Sequence, residues 1–177
     1  MVYKFKSGRY KGKTFEQVAF MDYPLLVWFY KERSGFLKRE DKKRLEEILY
    51  LLNNFESPLK CVRCKENNIK YLSIAFGYDG YSYQMSAGVH YAYCSEECWK
   101  EDTILASEGG AGLYPVKYNT ILEFPPFPKW IRRDLQKILN QCVGFDKRNT
   151  EKNAREFFEH LRRKFKNNYQ YSLFDEM

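Results

Sequence analysis

The spacing of hydrophobic positions changes several times along the chain, and each change marks an element. Near the N-terminus, Val2–Phe5 and Arg9–Thr14 are short runs around Ser7-Gly8 and read as two strands, with a second turn at Lys11-Gly12. Thr14 stands three residues before Gln17, a capping-box spacing that opens a short helix, Phe15–Phe20. Asp22 caps the next helix, with Pro24 in the first turn, where a missing N–H does no harm. That helix is expected to bury Leu25, Leu26, Trp28 and Phe29, with Trp28 filling a small core, and to stop at Ser34-Gly35. Leu45, Ile48, Leu49 and Leu52 give a third helix its apolar stripe, ending near Asn53-Asn54.

Pro58 marks a boundary, after which residues 61–98 read as β-rich, with Tyr78-Asp79-Gly80 as a hairpin turn and a helix from Ser95. Glu108-Gly-Gly-Ala-Gly112 lacks the Gly-Lys-Ser/Thr ending of a phosphate-binding loop and reads as a flexible connection. Pro125, Pro126 and Pro128 introduce two helices, about 129–141 and 150–165. Leu135, Ile138 and Leu139 form the apolar face of the first, and Ala154, Phe157, Phe158 and Leu161 that of the second. The expected fold is α+β, in four parts: a hairpin-plus-helices module (1–58), a cysteine-bearing finger (59–107), a basic helical segment (108–166) and a flexible tail (167–177).

Composition narrows the class. Of 177 residues, 44% are hydrophobic, enough for a core, and no apolar run reaches the length of a membrane span. Met1-Val-Tyr-Lys-Phe-Lys6 shows no apolar signal core, so a cytoplasmic setting is expected. The net charge of +7 is unevenly spread: residues 1–13 carry +5, residues 61–124 carry −3 and residues 125–168 carry +7. Such a distribution suits two solvated faces, and it equally suits a phosphate-contacting surface in which Lys/Arg alternate with aromatics. On the second reading Arg9, Lys11, Lys13, Arg132, Arg133, Arg162, Arg163, Lys164 and Lys166 contact DNA.

Cys61-Val-Arg-Cys64 and Cys94-Ser-Glu-Glu-Cys98 form two thiol pairs separated by residues 65–93. Four soft ligands in two pairs suit tetrahedral Zn²⁺, and the helix start at the second pair is expected to lower its thiol pKa values. With four Cys the coordination is closed, so the zinc is expected to be structural, worth on the order of 10 kcal/mol at neutral pH. A first thiol pair, a hairpin and a helix carrying the last two ligands is the layout of a treble-clef finger, and Tyr93-Cys-Ser-Glu-Glu-Cys98 resembles the second half of several such fingers. Cys142 stands alone and reads as buried and inert. No catalytic residue is assigned, because His90 and His160 lie far apart in sequence and no nucleophile has a local signature.

Two further segments carry resemblances. Ser7-Gly-Arg-Tyr-Lys-Gly-Lys-Thr-Phe-Glu-Gln-Val-Ala19, with Asp22 and Trp28, resembles the C-terminal module of exodeoxyribonuclease X-type proteins, with Ser7 and Tyr23-Pro24 departing from that pattern. The resemblance implies a nucleic-acid context and no chemistry, since exonuclease activity in those proteins resides in a separate domain. Gln170-Tyr-Ser-Leu-Phe174 is similar to the motif by which bacterial replication and repair proteins bind a sliding clamp. That likeness makes Gln170 a hydrogen-bonding group and Leu173 and Phe174 anchors, unless the two apolar residues fold back on the protein's own core. The readings converge on a non-enzymatic, zinc-binding, DNA-associated accessory protein of bacterial or phage replication or repair, tethered to a clamp. An adaptor or inhibitor that does not touch DNA, and a metal-dependent nuclease, remain as alternatives.

Overall fold

A computed structural model of the chain describes residues 2–78, 83–102, 111–123 and 129–166. Among the described residues helices (54%) outweigh a small antiparallel sheet (13%), which makes the fold α+β. Among the described residues no helix is long and apolar enough to cross a membrane. The prolines 125, 126 and 128, the turn residues Asp79 and Gly80, and the whole segment 167–177 lie outside the described residues.

The N-terminal residues do not form the two expected strands. They make a tight loop in which Phe5 N–H donates to Lys13 O (3.0 Å) and Gly12 N–H to Phe5 O (2.8 Å), too few bonds for a ladder. Turns at Gly8 and Gly12 consume the intervening backbone, and both glycines hold positive φ, 76° and 80°, a region that costs an L-residue about 1 kcal/mol or more. The loop closes on side chains: Arg9 pairs with Asp22, its guanidinium lies 4.6 Å from the Tyr10 ring, and Tyr10 OH donates to Asp22 (3.0 Å). Burial and the Asp22 carboxylate push the Tyr10 hydroxyl up to about 12.

The capping predictions hold. Helix α1, Phe15–Ala19, opens on a complete Thr14/Gln17 capping box, and α2, Tyr23–Arg33, has Leu25 N–H donating to the Asp22 side chain. The first eight residues of α2, Tyr23 to Tyr30, are all apolar or aromatic, so period alone could not choose its core face; Tyr23 and Leu26 are buried, while Trp28, expected inside, is 48% exposed. A 3₁₀ turn, Ser34–Phe36, leads to α3, Arg39–Asn54, whose buried stripe is Leu45, Ile48, Leu51 and Leu52.

Strand β1, Tyr71–Tyr78, is the centre of the sheet. It pairs antiparallel with β2, Tyr83–Ser86, through Ala75↔Ser86 to Tyr78↔Tyr83, the hairpin expected there. It also pairs with β3, Ala92–Tyr93, and with β4, Ala111–Pro115. Strand β4 is a correction: Gly112 was expected in a flexible connection, yet it sits opposite Ile74 in a five-residue pairing. Neither its short length nor its glycine advertises a strand; the unpaired backbone of β1 recruits it. Short helix α4, Glu96–Lys100, starts at Ser95 as expected.

Helices α5, Lys129–Cys142, and α6, Glu151–Lys166, complete the fold. One continuous core draws Phe15, Val18 and Leu26 from the N-terminal helices, Leu72 and Ile74 from β1, Leu135 and Leu139 from α5, and Ala154, Phe158 and Leu161 from α6. Each large side chain so buried contributes about 2 kcal/mol. Buried Gln136 on α5 ties the layers together, accepting from Tyr23 N–H (3.0 Å) and donating to Ala19 O (3.3 Å). It thereby satisfies an N–H at the start of α2 that no helical carbonyl reaches.

Charge reinforces the α3–α6 contact, where Tyr50 also meets Phe165 edge-on. Glu47 accepts from Arg44 (2.8 Å) and takes a two-point contact from Arg162, while Arg44 also reaches the buried Glu16 (2.8 Å). Burial alone would raise the Glu47 carboxyl, but the Arg162 and Arg44 hydrogen bonds outweigh it and hold it below its ordinary value. A carboxylate with a depressed folded pKa stabilises fully above its unfolded pKa and loses that contribution as pH falls through the folded one. Urea unfolding across pH 3–7 is therefore expected to show an acid-side loss of stability that Glu47→Gln reduces; an unchanged acid limb in the variant would show that other carboxylates control it.

Candidate metal centre

Two segments distant in sequence supply the four cysteines. Cys61 and Cys64 lie in a turn closed by Lys65 N–H to Cys61 O (3.0 Å) and Cys61 N–H to Asn67 O (2.8 Å). The chain reverses at Lys65, held at φ 62°. That turn is pinned to the sheet, with Val62 N–H donating to Ala92 O (3.1 Å) and Lys70 N–H to Tyr93 O (2.8 Å). Strand β3 thus delivers Cys94, and α4 follows at once with Cys98, whose N–H donates to Ser95 Oγ (3.3 Å). The Trp99 indole N–H donates to Ser73 Oγ (3.1 Å) on β1, and Tyr93 OH donates to Asp102 (2.8 Å), so both sides of the second pair are braced.

The four Sγ atoms lie within 4.8 Å of one another, forming one group as the spacing predicted. Cys64 and Cys94 sulfurs are 3.7 Å apart, and those of Cys94 and Cys98 are 3.6 Å apart. A disulfide requires about 2.05 Å, so these are free thiols. A tetrahedron of thiolates about 2.3 Å from a central metal has edges of about 3.8 Å, and the observed separations fit it. The four cysteines are therefore close enough to hold a metal ion. A four-sulfur set fills a tetrahedron and leaves no position for a reacting water.

Electrostatics divide the pairs, and not as expected. The backbone N–H groups of Asn67 and Glu66 point at Cys64 and lower its thiol to about 6. Burial instead pushes Cys94 up to about 12, and Cys98 also ends above its ordinary value: the Cys94 hydrogen bond lowers it, but burial and neighbouring Cys61 outweigh that. The lowered thiol belongs to the first pair, where two backbone N–H groups reach Cys64, whereas burial dominates at Cys94. A cation held among them would supply the charge that lets all four ionise together.

Other candidates fall in different places. Cys142 is buried as expected, and burial pushes its thiol up to about 12. His90 lies against the Tyr91 ring (4.1 Å). Among the basic candidates, Arg9, Arg162 and Lys164 are engaged within the protein, by Asp22, Glu47 and Glu56 (3.8 Å) respectively. Arg132 is half-buried, whereas Lys11, Arg133 and Arg163 are exposed and Lys13 is half-buried. Lys166 ends α6, and Gln170, Leu173 and Phe174 lie outside the described residues.

Sequence reading passed over Lys147 and Arg148, which precede α6. Asn149 Nδ2 donates to Gln17 O (2.8 Å) and Gln17 Nε2 donates to Asn149 O (3.5 Å), while Lys4 pairs with Glu151 (2.7 Å). These contacts set Lys147 and Arg148 beside the N-terminal loop; the only trace in sequence was the high charge of both ends.

Elemental analysis of the purified chain is expected to find about one metal ion per molecule, and Cys64→Ser to lose most of it. Chelation should release the ion and shift tryptophan emission as the bond between Trp99 and Ser73 loosens. A chain folded identically with and without metal would remove the structural role.

No protein-family model matches the chain, and neither the curated proteins nor the solved structures hold a significant match to it.

Proposed function

We propose that the protein is a zinc-stapled accessory protein that binds DNA through a basic face and is tethered by its tail to a bacterial-type sliding clamp. Zinc is the metal of choice for this donor set because four thiolates in a tetrahedron suit a borderline-soft d¹⁰ ion. Its part is to hold the sheet and α4 in place; binding falls to other residues.

The observation that carries the DNA reading is the joining of two basic segments. Gln17 Oε1 accepts from Thr14 N–H (3.2 Å) while its amide nitrogen reaches Asn149 O, so Lys13 and Arg148 each lie one residue from groups that Gln17 links. Lys6, Lys11, Lys13, Lys147 and Arg148 make no ion pair among the described residues, unlike Arg9, Arg162 and Lys164. Cations left without internal partners are the ones free to displace counterions from a phosphate backbone. The basic surface is thus centred on the loop and the turn before α6, and less on the far end of α6 than sequence suggested.

Duplex binding is expected to weaken steeply with salt, and Lys11→Glu/Arg148→Glu to cost roughly tenfold or more in affinity at low salt while flattening the salt slope by about two phosphate contacts. No binding by the intact chain at low salt, or an unchanged affinity and slope in the variant, would end the DNA reading.

The tether rests on Gln170, Leu173 and Phe174 alone. Two anchors of this size support affinity on the order of micromolar once the ordering of the tail is subtracted. Calorimetry with a bacterial clamp should give heat for the intact chain and none for Leu173→Ala/Phe174→Ala; equal heats would place any contact elsewhere.

A further inference from the structure

Helix α2 turns a large aromatic away from the core. Leu26 is fully buried, and Trp28, two residues on and therefore about 200° round the helix, is 48% exposed. Phe36, in the 3₁₀ turn that follows, is 84% exposed. Arg33 stands between them: its guanidinium carbon lies 6.0 Å from each ring centroid. Around this group Lys31, Arg33, Lys38 and Arg39 are exposed and make no ion pair among the described residues, and the acids nearest in sequence are Glu32, Glu40 and Asp41.

We infer that Trp28, Arg33 and Phe36 form a stacking platform for the bases of single-stranded nucleic acid. This rests on the nucleic-acid reading above and adds to it a second contact and a preference for unpaired strands. The occupant is set by chemistry. Flat apolar faces beside unpaired cations complement a ligand that presents flat faces and regularly spaced anions together. A single strand does so, whereas a duplex hides its base faces inside the stack. Arg33 serves both halves, since a guanidinium lies on an aromatic ring and pairs with phosphate. An acidic or apolar protein surface would leave either the rings or the four cations without counterpart.

Fluorescence anisotropy with a labelled oligothymidine of about 20 nucleotides and a duplex of equal length tests this on the full chain. Trp28→Ala/Phe36→Ala is expected to weaken single-strand binding roughly ten- to a hundredfold and to leave duplex binding unchanged, with Trp28→Tyr retaining most of the affinity. Both side chains are exposed, and equal metal content and circular dichroism would show that the double variant folds. Undiminished single-strand binding in that variant overturns the platform. If Lys11→Glu/Arg148→Glu still weakens duplex binding in the same experiment, only the platform falls. An intact chain that binds neither oligonucleotide removes both readings. A change in sedimentation of the double variant with no change in binding also overturns it, assigning the rings to a contact between copies.

Discussion

Four sulfur atoms cannot all carry charge within 4.8 Å of one another unless a cation sits among them. Much of the middle of the chain is arranged around that constraint. The segment from Cys61 to Cys98 contains the central strand and two of its three partners, yet beside the sulfurs the buried apolar group is small: Cys61, Tyr93 and Cys94, with Val62, Tyr91, Trp99 and Leu113 only partly covered. A cluster of that size stabilises little by burial. Hydrogen bonds from Val62 and Lys70 to β3 set the sulfurs in position, close enough that an ion held among them would cross-link segments thirty residues apart.

The main core is of another kind. Phe20 stacks on Phe145 with ring centroids 3.7 Å apart and lies 5.3 Å from the Phe158 ring of α6, so the end of α1 closes on the last helix, while Tyr3, Phe5, Phe15 and Phe29 form a second aromatic group. Sheet and helices share this core through Leu72, Ile74 and Tyr118, the last hydrogen-bonded to Asn140 on α5 (2.7 Å). The cysteine end therefore hangs from a body that is packed by ordinary apolar contacts, and loss of metal should act first on the sheet's outer parts.

The N-terminal motif gains a structural account. Gly8 and Gly12 occupy left-handed backbone, Arg9 and Tyr10 converge on Asp22, Thr14 caps α1, and Asp22 caps α2. These residues build a compact loop and leave its lysines outside.

Local chemistry was legible in the chain. Thr14/Gln17, Asp22, Ser95 and the heptad-like leucines of α3 define helices through contacts within a few residues, and the two cysteine pairs define a metal set through spacing and ligand type. Long-range choices were not. The sequence could not place Trp28, because the unbroken apolar and aromatic run Tyr23 to Tyr30 has no preferred face until its neighbours arrive. It could not show that β4 completes the sheet, since Ala111–Pro115 becomes a strand only beside β1. Nor could it separate free cations from engaged ones: Arg162 and Lys13 look alike in a list of bases, and only the packing of α6 on α3 gives Arg162 to Glu47. Interactions between neighbours in sequence are written in the sequence, whereas pairing, exposure and charge neutralisation belong to the assembled fold.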